Sequence, residues 1–141
     1  MIGNFLIVSN NPEVLKRFSN YQISFQHEYL LVLLAARNAI HQGHHLLMHP
    51  ESGSVKPGQT PYRSLLLNNW RSQLDVRSLE MIENAIVRYH SLCDPGWLIK
   101  EESETVLKDF QLVDLILLRQ ALEACDRSTF AMGSFNCFSG S

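Results

Sequence analysis

No CxxC pair occurs in this chain, and its three cysteines, Cys93, Cys125 and Cys137, are odd in number and widely spaced. Redox chemistry by a thiol pair is therefore not expected, and reduced thiols in a cytoplasm are. Long apolar runs are missing too. The longest, Tyr29 to Ala36, falls far short of the roughly 20 residues that cross a bilayer. Met1 to Val8 has neither a basic start nor a small-residue cleavage site, so no signal peptide is expected. Basic excess is also absent: 12 Lys and Arg stand against 14 Asp and Glu, a net charge of −2. A dedicated nucleic-acid binder carries the opposite balance. Arg63, Arg71, Arg77 and Arg88 read as a solvated face, and Trp70 beside them offers little stacking surface. Charge is scarce in total, at 18% of residues against 45% hydrophobic. That excludes a disordered chain, and 141 residues suit one domain with an ordinary core.

What is present alternates between strand and helix patterns. Phe5 to Val8 is an apolar run ending at Ser9-Asn10-Asn11-Pro12, where an asparagine can cap a helix and Pro12 suits its first turn. A first helix through Glu13, Val14, Leu15 and Phe18 follows, then an alternating strand from Tyr21 to Phe25. Glu28 to Gln42 reads as a helix closed by Gly43, apolar on more than one face, which implies deep burial or a surface packed on a partner. His45 to Met48 and Ser64 to Leu67 are further strand candidates. Asp75 to Leu92 is an amphipathic helix with Leu79, Ile82, Ile86 and Tyr89 on one side and Asp75 as its cap. Trp97 to Leu107 reads as a connector, and Asp109 as the cap of a last helix.

This order predicts an α/β fold: a small, mostly parallel sheet of about four strands, helices on both faces, a Rossmann-like three-layer arrangement with C-terminal helices added. The domain is expected over residues 1–125, with residues 126–141 as a tail that Phe130, Phe135 or Phe138 holds down. Ligands in such sheets sit beyond the carboxyl ends of the strands. Two loops fall there, Ser9 to Pro12 and His49 to Arg63.

The second loop is the one segment rich in Gly, Ser and Pro. It offers the His49 imidazole, the hydroxyls of Ser52, Ser54 and Thr60, the cations Lys56 and Arg63, and Gly53, which tolerates positive φ. With Ser9, Asn10 and Asn11 these residues form a candidate site for a phosphate- or carboxylate-bearing ligand. Neither GxxxxGK[ST] nor GxGxxG is present. The alternative is a long surface loop whose polar groups bond water and each other. Ser52 or Ser54 with His49 would be a serine nucleophile and base, but no GxSxG elbow frames them, so no catalytic residue is assigned. His41, His44, His45 and His49 cluster, but no cysteine or carboxylate completes a recognised metal spacing, so no metal or other cofactor is assigned.

Three stretches carry a family resemblance: Ile7 to Pro12, Gly43 to Pro50, and Ser52 to Pro57 leading to Thr60-Pro-Tyr-Arg63-Ser64. Together they resemble the GrdX-like family, small accessory proteins associated with glycine reductase systems of amino-acid-fermenting anaerobes. Asp109 to Ala121 is similar to that family's closing helix. The resemblance covers roughly residues 2–125 and its specific part is the HP-x-SGS-x-KP stretch. It implies a cytoplasmic accessory or regulatory module that contacts a reductase-complex protein, and it carries no catalytic residue across; the apolar excess of residues 28–42 is compatible with a homo-oligomer. A module for a small anionic ligand, enzymatic or not, is the competing expectation.

Overall fold

The computed structural model describes residues 2–54, 59–93 and 103–132. Lys56, most of the connector after residue 93 and the tail beyond 132 lie outside the described residues, as do the side chains of Ser54, Cys93 and residues 127–132.

Three strands form the sheet: β1 (Phe5–Ser9), β2 (Gln22–Phe25) and β3 (Ser64–Asn68), in the order β2-β1-β3. Four helices surround it: α1 (Pro12–Arg17), α2 (Tyr29–His41), α3 (Val76–Cys93) and α4 (Glu104–Met132). β1 and β3 are buried along their whole length, so they read as unbroken apolar runs, as strands covered on both faces do. Their alternate residues separate cleanly. Leu6, Val8, Leu65 and Leu67 pack with α2 and α3; Phe5, Ile7 and Leu66 pack with α1 and α4. Each fully buried Leu or Ile contributes about 1.5–3 kcal/mol, so the two clusters hold the layers together from both sides. Cys125 lies buried in the second cluster and is disulfide-bonded, against the expectation of a reduced thiol there.

The Rossmann-like, mostly parallel, four-strand sheet is not what forms. The sheet has three strands and is mixed: β1 pairs parallel with β2 and antiparallel with β3. A parallel neighbour needs a crossover, usually helical, and α1 supplies one between β1 and β2. Between Met48 and Ser64 the described residues hold a loop with a 3-10 turn at Ser52–Ser54, and β3 runs opposite to β1. The expected strand at His45 to Met48 reduces to a single bridge, Leu46 opposite Leu67. Two of its N–H groups are diverted: His45 N–H donates to the Asn68 side chain at 2.8 Å and Leu46 N–H to the Ser78 hydroxyl at 2.9 Å, while Leu47 N–H keeps the Leu66 carbonyl at 2.8 Å.

Helix boundaries follow local chemistry. Asn11 caps α1, its Oδ1 accepting the Glu13 N–H at 3.0 Å, with Pro12 in the first turn. Asp75 caps α3, its carboxylate accepting the Ser78 N–H at 3.3 Å. α4 begins five residues before the expected Asp109, at Glu104, where the Ser103 hydroxyl accepts the Val106 N–H at 3.3 Å. The apolar excess of α2 is explained within the chain, because α2 lies between the sheet and α3, and even Leu34 and Ala35 touch that core. Gly43 ends α2 at φ 103°, and a Cβ there would come 2.3 Å from the Ser72 carbonyl oxygen. Only glycine fits both the turn and that approach.

Candidate functional site

The end of β1 and the start of β3 meet at one edge of the sheet, and each contributes a serine. Ser9 Oγ lies 2.7 Å from Ser64 Oγ. Ser64 Oγ donates to Asp114 Oδ2 at 2.6 Å, and Ser64 N–H to Asp114 Oδ1 at 2.9 Å. A hydroxyl has one proton, so Ser9 is the donor to Ser64. Ser9 Oγ in turn accepts the Asn11 N–H at 3.0 Å. The result is a directional chain from the Asn11 amide through two hydroxyls to a carboxylate. The Asn11 side-chain amide closes it, donating to Asp114 Oδ2 at 3.0 Å and to the Gln111 carbonyl at 2.9 Å.

Asn10 and Arg63 build the adjoining part. The Asn10 amide donates to the Pro61 carbonyl at 2.8 Å and accepts the Arg63 N–H at 2.9 Å, pinning the end of the 49–63 loop to β1. The Arg63 side chain is buried, with 1% of the residue exposed. Its Nε donates to the Tyr29 hydroxyl at 3.2 Å and its Nη1 to the Ser52 carbonyl at 3.3 Å. Its guanidinium carbon lies 5.6 Å from the centroid of the Tyr29 ring, within cation–π range. Tyr29 stacks on Tyr89 of α3 at 5.7 Å, and Arg88 of α3 holds Glu51 at 2.7 Å, so the loop is tied to both helical layers.

Asp114 is 4% exposed, and burial pushes its carboxyl above the ordinary aspartate value. The Ser64 and Asn11 donors and the Arg63 charge pull it partway back. Burial likewise raises the Tyr29 phenol, with Arg63 opposing. For Asp114 the sign of the linkage is clear: the folded state holds its proton more tightly than the unfolded chain. The proton-linked part of its contribution to stability is complete below about pH 4 and is lost as pH rises through the raised value, while its hydrogen bonds from Ser64 and Asn11 remain. Urea unfolding of the wild type and Asp114→Asn across acidic to neutral pH should show this directly. The difference in stability, wild type minus variant, should fall as pH rises; a difference that grows would contradict the assignment.

Ser9, Asn10, Asn11 and Arg63 thus converge in a buried polar knot, and each finds a protein partner. His49 and Gly53 stand apart from it, and Ser52 meets it only through its carbonyl, which accepts from Arg63. The three line a groove of about 360 Å³ together with Leu47, Met48 and the α4 residues Leu117, Gln120, Ala121 and Ala124. Within it the Ser52 hydroxyl donates to the His49 carbonyl at 2.6 Å, and His49 Nδ1 accepts the Glu51 N–H at 3.1 Å. Ser52 and His49 are therefore held in a turn through backbone groups, not as a hydroxyl on an imidazole. Gly53 has φ 83°, and a Cβ there would press on the Leu117 side chain at 2.7 Å. Its role is to let the loop rest against α4. Thr60 serves its own turn, its hydroxyl accepting the Tyr62 N–H at 3.2 Å.

Ser64, Asp114 and Tyr29 are the knot members that the sequence reading passed over. The signal for Asp114 is its place in the helical pattern, since Asp114, Leu115, Leu118 and Leu122 share the buried side of α4. Among the histidines, His44 Nδ1 bonds the Asn68 carbonyl at 2.8 Å and His45 Nε2 the Ser72 hydroxyl at 2.9 Å. Among the described residues no group of three His, Cys, Asp or Glu is placed to hold a metal, and no helix is long and apolar enough to cross a membrane.

A family model described as GrdX-like protein matches residues 6–123, most of the chain, including every member of the knot. No curated protein and no solved structure matches.

Proposed function

The chain belongs to the GrdX-like family, and from that membership we propose a cytoplasmic accessory protein of a glycine-reductase-type fermentation system that works by binding a protein component of it. The observation that carries this reading is the closure of the knot. The polar side chains at the strand ends, where a ligand of an α/β sheet would bind, are buried and bonded to one another. They fix the base of the 49–63 loop, which is the proposed contact element; its described ends are held by Asn10, Arg63 and the Glu51–Arg88 pair. The test is binding of the purified chain to each purified glycine reductase component by surface plasmon resonance. Saturable binding to one component is expected. Binding to none of them would overturn the reading.

A second reading has its own support in the groove beside His49, Ser52 and Gly53, whose volume of about 360 Å³ is in the range of small-molecule sites. There the ligand would be a small carboxylate or phosphate, and its binding would raise the melting temperature.

A further inference from the structure

The hydrophobic cluster beneath α4 contains Cys125, which is buried and disulfide-bonded. The chain holds two other cysteines, Cys93 and Cys137. A disulfide keeps its two Cα atoms within about 7 Å, so the fold discriminates between them. α4 runs against β1. Its Asp114 bonds Ser64, which is level with Ser9 at the end of β1. Cys125 follows about 16 Å further along the helix, in one cluster with Phe5 at the start of that strand. Asp126 acts electrostatically on Tyr21, whose ring lies 6.5 Å from that of Phe5, which marks the same end.

α3 packs on the opposite face of the sheet and runs the other way. Its Ser78 bonds Leu46, whose bridge partner Leu67 is level with Leu6 near the start of β1. Arg88 and Tyr89 already stand at the far end, against Glu51 and Tyr29. Cys93 is the last residue of α3, about 22 Å beyond Ser78. Both the sheet and the length of its strands therefore lie between Cys93 and Cys125.

We infer that Cys125 is bonded to Cys137, and that this bond is a redox-sensitive latch folding the chain after α4 back onto that helix. The reach is sufficient. α4 carries the chain about 10 Å past Cys125 to Met132, and residues 133–137 span up to about 17 Å on the return. Closing the latch joins the two sulfurs. The two thiols pass two electrons and two protons to a low-molecular-weight disulfide such as oxidised glutathione, which leaves as two thiols. Disulfides of cytosolic proteins are transient or redox-sensing, so in the compartment proposed above the pair stays open until an oxidant closes it. The pairing itself rests on neither functional reading.

The test is peptide mapping of the full chain by mass spectrometry, after equilibration with oxidised glutathione and blocking of free thiols with iodoacetamide. Cys125 is expected in a linked peptide pair with Cys137, with Cys93 outside it. Cys125 found free, carrying only glutathione, joined to Cys93 or joined to a second copy would overturn the inference. Limited chymotrypsin digestion then reads the latch. Cleavage after Phe135 and Phe138 should quicken about tenfold on adding dithiothreitol, in the wild type and in Cys93→Ser alike. Cys137→Ser should be cleaved at that faster rate with no reductant. A wild-type cleavage rate indifferent to reduction would overturn the latch.

Discussion

Replacing Asp114 by alanine should cost about 3–5 kcal/mol of stability, a fall of roughly 10–20 °C in melting temperature for a chain of this size. The aspartate accepts three hydrogen bonds, from Ser64 N–H, Ser64 Oγ and Asn11 Nδ2. Removing it leaves the Ser64 amide, buried at the start of β3, without its acceptor. It also removes the carboxylate that opposes the buried Arg63 charge. Both losses have the same sign, because a donor or cation left alone away from water keeps its full desolvation penalty. Asp114→Asn preserves the shape and one acceptor, so its loss should be smaller. Urea unfolding of the three proteins at neutral pH checks the order, and an alanine variant within 1 kcal/mol of wild type, a small fraction of this expected cost, would mean that the knot does not stabilise the fold.

Arg63→Ala is expected to be comparably severe, again about 3–5 kcal/mol. Its guanidinium joins three elements: the Tyr29 hydroxyl on α2, the Ser52 carbonyl in the loop and the neighbourhood of Asp114 on α4. Truncation removes those bonds, empties the volume of a fully buried long side chain and leaves Asp114 without its cation. Arg63→Lys should recover little, because an ammonium is a point charge that cannot reproduce a planar fork reaching Tyr29 and Ser52 from different nitrogens. The Arg63→Ala, Asp114→Ala double variant should cost clearly less than the sum of the two single variants, since both residues act on one polar knot and their charges interact. Strict additivity would show that the two residues act independently.

Much of the fold is visible in short-range chemistry. Asn11 and Pro12 announce α1, Asp75 announces α3, and the alternation in Tyr21 to Phe25 marks β2, because caps and period depend on residues a few positions apart. The direction of β3 is a different kind of property. Nothing in Ser64 to Asn68 records which way it lies beside β1; that is set by how the chain after Met48, in which the described residues form a loop with a 3-10 turn, returns to the sheet. The loss of a strand at His45 to Met48 has a similar origin, since Asn68 and Ser78 take two of its N–H groups from 23 and 32 residues away.

The candidate site is legible to the same depth. Ser9, Asn10, Asn11 and Arg63 are polar residues at loop positions, which made them candidates for a ligand. Asn11 bonds Asp114, about 100 residues further along the chain, Ser9 reaches it through Ser64, and Asn10 bonds Pro61 and Arg63, about 50 residues on. A carboxylate on the buried side of α4 was the available sign that these residues answer to a partner inside the protein. Their spacing alone does not distinguish a polar knot from a binding cradle.

The account depends on that distinction, and thermal unfolding of the intact chain against phosphate, sulfate, acetyl phosphate, nucleotides and glycine addresses it most directly. A ligand present at 100 times its dissociation constant would add about 2.7 kcal/mol, a rise of several degrees. With the strand-end polar groups already bonded to one another, no saturable rise is predicted for any of these compounds. A saturable rise of several degrees that disappears in Asn10→Ala or Ser52→Ala would contradict the account and make the protein a small-anion binder.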